Sequence, residues 1–223
     1  MHYNLNNEIY FVSNKMEDYL HFNRLFRAIC LVKDKYLKIE VENPTNKTDL
    51  LKHQERVFAY ELYRQWANII DAECETSLIL NAELDKIISD RIENKQDKTR
   101  TYPDMVLHQG QGNNKKQKII CEIKRNDHPK RYARLFADLY KLSCYMDKDM
   151  MGNNIFDYGV FILLSTTLDD IKKIKGKTLI KVNTGYCSFG EFKEKMRKHF
   201  DRLICVLYNG QALEYETLNS LLK

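Results

Sequence analysis

An α/β fold in one domain is what this 223-residue chain predicts, and three stretches carry the prediction. Residues Tyr102–Asn126 run apolar, turn through Gly, Asn and Lys, and run apolar again, which is the pattern of a β-hairpin. Residues Asp49–Asp71 repeat apolar side chains at about 100° per residue, the mark of an amphipathic helix. Phe156–Leu164 is rich in aromatic and β-branched residues, as a strand buried on both faces should be. No internal repeat, low-complexity tract or Pro/Gly-rich linker divides the chain, so residues 1–223 read as a single domain. Residues 49–165 form its core, with 1–48 and 166–223 as N- and C-terminal elaborations.

Composition narrows the class. Apolar residues make up 43% and charged residues 30%, ordinary values for a soluble globular protein. Thirty-six basic residues against 31 acidic ones leave a net charge of +5, compatible with nucleic-acid binding without requiring it. The six cysteines are scattered, with no CxxC and no paired histidine spacing, which argues against zinc. Several sit in apolar runs, where a reduced cysteine behaves as a small hydrophobe. MHYNLNNEIY is not a basic-then-apolar signal, and the longest apolar run, Tyr158–Leu164, is too short to span a bilayer. A cytoplasmic, reducing setting with no membrane partner is expected.

In order along the chain, Met16–Leu31 places Met16, Tyr19, Leu20, Phe26, Ile29 and Cys30 at near-helical spacing. Tyr36–Val41 alternates like a short strand that Asn43-Pro44-Thr45 ends. The helix over Asp49–Asp71 takes Thr48 or Asp49 as its cap and buries Leu51, Phe58, Leu62, Trp66 and Ile69. Glu61 lies on the flank of that stripe beside Gln54 and Gln65, and an acid bordering a buried surface needs a partner or a metal. An ion pair to Arg64 or Arg56 is the plainer account. Glu55 falls within the apolar arc near the helix start, where the helix dipole favours an anion.

Thr76–Leu84 reads as a strand antiparallel to the one beginning at Tyr102, with Glu83 and Asp85 on one face. Ser89–Arg100 is a charged linker. Pro129 opens a helix whose Leu135, Leu139 and Leu142 face the sheet. Lys130, Arg131 and Arg134 cluster near its start and, with Arg125, can guide a phosphate backbone; an ordinary solvated surface explains them as well. Then follow a short helix over Thr167–Ile174, capped by Thr166 or Thr167, and a strand over Thr178–Val182. A basic helix over Ser188–Phe200 precedes a strand over Leu203–Tyr208, and Asn209-Gly210 turns the chain into Ala212–Tyr215.

The hairpin concentrates chemistry. The start of one antiparallel strand lies beside the end of the other, which brings Asp104 close to Glu122 and Lys124. With period-two alternation, Ile119, Cys121 and Ile123 face the core while Ile120, Glu122 and Lys124 face the other side, and Asp104, Val106 and His108 share a face. Two carboxylates and an amine therefore converge at one end. Gly110-Gln111-Gly112 lacks the Lys-Ser/Thr ending of a phosphate-binding loop, and no G-x-S-x-G elbow appears. His108 and His128 flank the site in sequence only as polar residues near turns.

Pro103-Asp104, then Glu122-Ile123-Lys124 after a hairpin-sized gap, resembles the PD-(D/E)XK nuclease superfamily, over roughly Asp49 to Ser165. The resemblance implies a restriction-endonuclease-like core: helix, three antiparallel strands, helix and strand in a mixed sheet flanked by helices. It implies phosphodiester hydrolysis, chiefly of DNA, with Mg2+ or Mn2+ as a substitute. Asp104 and Glu122 would anchor the cation and the Ile123 carbonyl would add a ligand. Glu61 would contribute from the preceding helix, with Glu55 and then Glu83 as further acids, and Lys124 would orient or deprotonate the water. A homodimer is compatible with such a nuclease. Two other outcomes stand beside it: a nucleic-acid-binding or protein-interaction module without turnover, and a structural domain whose charged hairpin end is a surface ion-pair cluster.

Overall fold

A computed structural model describes residues 2–3, 16–37, 47–82, 103–109, 117–125, 132–148, 155–164, 180–182 and 185–223. Its elements are β1 (His2–Tyr3), α1 (Met16–Leu31), α2 (Lys47–Ala72), β2 (Ile79–Ala82), β3 (Met105–His108) and β4 (Gln117–Arg125). There follow α3 (Tyr132–Tyr145), β5 (Phe156–Leu164), β6 (Ile180–Val182), β7 (Gly185–Cys187), α4 (Phe189–Met196), β8 (Leu203–Tyr208), β9 (Leu213–Thr217) and α5 (Leu218–Leu221). Seven strands form one mixed sheet in the order β1-β9-β8-β5-β4-β3-β2, and β6 and β7 pair separately. The three at its centre, β8, β5 and β4, are parallel; β2, β3 and β9 run antiparallel to their neighbours.

Alternation builds two cores, one on each sheet face. Ile119, Cys121 and Ile123 of β4 pack with Val160, Ile162 and Leu164 of β5 under α1 and α2, which contribute Phe22, Phe26, Phe58, Leu62 and Trp66. Ile120 of β4 and Phe161 and Leu163 of β5 face the other way, under α3, α4 and α5, with Leu135, Leu139, Leu142 and Phe192. The result is three layers, helices on both faces of a mostly parallel centre. Gly159 is needed where α3 ends over β5: a Cβ there would stand 2.8 Å from Leu203 Cδ2 and 2.9 Å from Met146 Sδ. The β8–β9 turn uses Gly210 at φ +93°, with Asn209 Oδ1 accepting from the Gln211 and Ala212 amides.

Several expectations need correcting. The long helix begins at Lys47, so Thr48 and Asp49 lie inside it and do not cap it. Asp34–Tyr36 is a 3-10 turn closed by the Tyr36 and Leu37 amides, in place of the start of a strand. The Ser188–Phe200 helix ends at Met196 and tightens into a 3-10 turn over Arg197–His199; its start is a capping box between Ser188 and Glu191. Residues 203–217 are no appendage, since β8 and β9 extend the central sheet directly from β5. The linker over 89–100, the helix over 167–174, Glu83, Asp85, His128, Lys130 and Arg131 lie outside the described residues. So do residues 38–41 of the expected early strand.

Candidate functional site

The hairpin register pairs Met105 with Cys121, Val106 with Ile120 and Leu107 with Ile119, then shifts before His108 meets Gln117. Asp104 therefore stands at the carboxyl end of β4, and its amide donates to Cys121 O at 3.1 Å. Its Oδ2 accepts the Ile123 amide at 2.6 Å, tying the carboxylate to the backbone between Glu122 and Lys124. Strand period puts Asp104 on the Val106 face and Glu122 on the Ile120 face, and both belong to the side that α3 covers. In β5, Phe161 and Leu163 stand opposite Glu122 and Lys124, so this is also the carboxyl end of a parallel pair, where open α/β sheets offer ligand sites.

Two helices close around this end. From α2, Glu55 Oε1 accepts the Arg125 amide at 2.8 Å and its Oε2 lies 3.8 Å from Lys124 Nζ. From α3, Asp138 Oδ2 lies 3.8 Å from the same ammonium, and Lys141 Nζ stands 2.5 Å from Glu122 Oε1. Among the described residues, four carboxyl groups thus surround two ammonium groups. Burial is uneven: Glu122 is 2% exposed, Lys141 17% and Lys124 30%.

That imbalance appears in the proton affinities. Burial pushes Glu122 up to about 8; Lys141 works against the rise, and Asp104 and Asp138 add to it. Glu55 is raised by burial and by Asp104 and Asp138, with Lys124 and the Arg125 amide opposing. Burial disfavours the Lys124 ammonium, yet Asp138, Glu55, Glu122 and Asp104 together outweigh it and hold its pKa well above the ordinary lysine value. Cys121, buried on the opposite face, is raised first by burial and then by Asp104 and Glu122, so it stays an inert thiol.

Glu61 is not brought to this cluster. Its Oε1 accepts from Arg64 Nη2 at 2.6 Å and Gln65 Nε2 at 2.7 Å, and its Oε2 from Arg64 Nε at 2.9 Å. The Arg64 hydrogen bonds hold its pKa below the usual value, as in a satisfied ion pair. Helical geometry explains the exchange. Six residues separate 55 from 61, roughly 9 Å of rise and about 120° of rotation, so one helix cannot aim both acids at the same point. Glu55 stands eight residues into α2, beyond the reach of the helix dipole, and its partners are Lys124 and the Arg125 amide instead.

His108 lies roughly 13 Å along β3 from Asp104 and is tied to the Asn81 amide group, 2.8 Å away. The Arg125 guanidinium donates to Leu37 O and so joins the end of β4 to the turn after α1. Arg134 sits in the first turn of α3. The sequence reading missed Asp138 and Lys141. Their signal was present: Asp138 borders the Leu135–Leu139–Leu142 stripe, and Lys141 lies one step further round, with a stem long enough to reach back.

Among the described residues, no three His, Cys, Asp or Glu side chains are gathered closely enough to hold a metal ion. The chemistry of the donors nevertheless fits a hard divalent cation, because carboxylate oxygens outnumber ammonium groups and raise one another's proton affinity. Asp104 and Glu122 are the donors a cation would meet, with Glu55 and Asp138 beside them. Among the described residues no helix is long and apolar enough to cross a membrane. No family model, no curated protein and no solved structure matches this chain.

Proposed function

We propose that this chain is a metal-dependent nuclease of the PD-(D/E)XK kind, cutting DNA phosphodiesters with Mg2+, or with Mn2+ in its place. The observation that carries the reading is the meeting of Asp104 and Glu122 on one sheet face, with the Lys124 ammonium held beside them. The order α2, β2–β3–β4, α3, β5 supports it, being the order of that superfamily's core. A cytoplasmic setting and a possible homodimer belong to the same reading.

A bound divalent cation supplies Lewis acidity, a more acidic water and neutralisation at the phosphoryl oxygens. Asp104 and Glu122 would hold it, the Ile123 carbonyl would add an oxygen, and Glu55 would take the helix-acid part first expected of Glu61. Lys124 is kept protonated by its four acidic neighbours. Beside the cation it would orient or deprotonate the attacking water, or neutralise charge developing on the phosphoryl group.

The deciding experiment incubates plasmid, linear duplex and single-stranded DNA, and RNA, with Mg2+, Mn2+ or chelator, for the wild type and Asp104→Ala. Cleavage that needs metal and is lost in the variant supports the nuclease. Metal-independent cutting, or full activity in Asp104→Ala, rejects it. One observation favours a second reading, a binding module of the same fold without turnover: Lys141 Nζ already stands 2.5 Å from Glu122 Oε1. Calorimetric Mg2+ titration of the wild type against Glu122→Gln separates the two, since the module predicts no affinity in either.

A further inference from the structure

We propose that Lys141 is a built-in counter-cation, occupying the Glu122 carboxylate in the metal-free chain and leaving it when a divalent cation binds. This rests on the nuclease reading of the same site and adds its regulation. Three observations support it. Glu122 is almost fully buried, and its ionised form in that position calls for a counter-charge. Lys141 makes the short contact to it, at 2.5 Å, while Lys124 is held 3.8 Å from both Glu55 and Asp138. The lysine in short contact with Glu122 is thus Lys141. Lys124 comes from the strand that also carries Glu122, whereas Lys141 comes from α3, on a stem of four methylenes that can withdraw without moving the sheet.

Exchange of this kind makes the ammonium and the metal competitors for one carboxylate. Metal affinity is then set partly by the strength with which α3 holds Lys141 in place, which is a negative coupling between the two cations.

The test is calorimetric and uses the full chain, with MgCl2 and MnCl2 as titrants and Tm measured at each metal concentration. Lys141→Met removes the competitor and is expected to bind metal at least about fivefold more tightly than the wild type. It should also show a larger metal-induced rise in Tm. Lys141→Arg keeps a cation on Glu122 through a guanidinium that grips a carboxylate in two places, and is expected to bind metal more weakly. Should Lys141→Met fail to fold, the arginine variant still reads the competition. Unchanged or weaker metal binding in Lys141→Met, or unchanged binding in Lys141→Arg, overturns the proposal while wild-type binding leaves the nuclease reading standing. Absence of metal binding in the wild type and both variants overturns both.

Discussion

Two clusters of charge flank this sheet, and their carboxyl groups respond in opposite directions. Where α1 crosses the end of α2, Arg24 Nε and Arg27 Nη1 each stand 2.7 Å from Glu73, and Arg24 Nη2 is 3.7 Å from Glu75. Two acids meet two guanidinium groups. The Arg24 hydrogen bond leads in holding Glu73 below its usual pKa, and the Ser77 hydroxyl and amide do the same for Glu75. At the end of β4, four acids share two ammonium groups, and both Glu55 and Glu122 are raised. Burial leads in raising Glu55 and Glu122, whereas hydrogen bonds lead in lowering the more exposed Glu73 and Glu75. Glu61, lowered by its Arg64 hydrogen bonds, responds in the same direction as Glu73 and Glu75.

The widest separation between the two clusters should be in activity. Under the nuclease reading, Asp104→Asn and Lys124→Met are each expected to lower Mg2+-dependent DNA cleavage at least about 100-fold, read from nicking of supercoiled plasmid. Comparable losses from substitution in the Arg24 cluster would erase the distinction.

The pH dependence of stability should come next, with opposite slopes. Glu122 has a folded pKa of about 8 against an ordinary value of 4.5, so the folded chain binds the extra proton between them. Its contribution therefore favours folding at low pH and is lost as pH rises through that window. Glu73 is shifted down, so its contribution is present above its unfolded pKa and disappears as pH falls through the folded value. Urea midpoints measured from about pH 3 to about pH 9 should flatten above pH 5 in Glu122→Gln and below pH 5 in Glu73→Gln. A wild-type slope that Glu122→Gln leaves intact would show that another group titrates there.

A smaller effect is expected from Arg24→Met. It strips Glu73 and Glu75 of a nearly buried partner and should cost about 1–3 kcal/mol in urea denaturation, with cleavage per folded molecule unchanged. Smallest of all should be Glu61→Gln. Its Arg64 partner is 57% exposed, so stability should change by less than about 1 kcal/mol and cleavage by less than about twofold. A large cleavage loss in this variant would return Glu61 to the site.

What the sequence made legible was whatever local periodicity controls. Phe156–Leu164 and Leu203–Tyr208 are the strands their apolar runs indicated, and the alternation through Ile119–Lys124 sorted both faces of β4 correctly. The same alternation brought Asp104 to Glu122 and Lys124. Glu55 and Glu61 could not be separated that way, because the choice depends on where α2 crosses β4, a tertiary property. Asp138 and Lys141 escaped for a related reason. A charged residue bordering an apolar helix stripe is ordinarily solvated, and only the placement of α3 over Glu122 gives these two a role.

The parallel pairing of β5 with β8 sets a schedule for synthesis. All six charged groups of the cluster lie between residues 55 and 141, but β5, which braces β4, gains its second neighbour only with residues 203–208. At ordinary translation speeds, roughly 3–13 s pass between the emergence of Lys141 and that of Tyr208 from the ribosome. Throughout that interval a nascent chain bears every acid and lysine of the cluster while β5 still lacks its second neighbour.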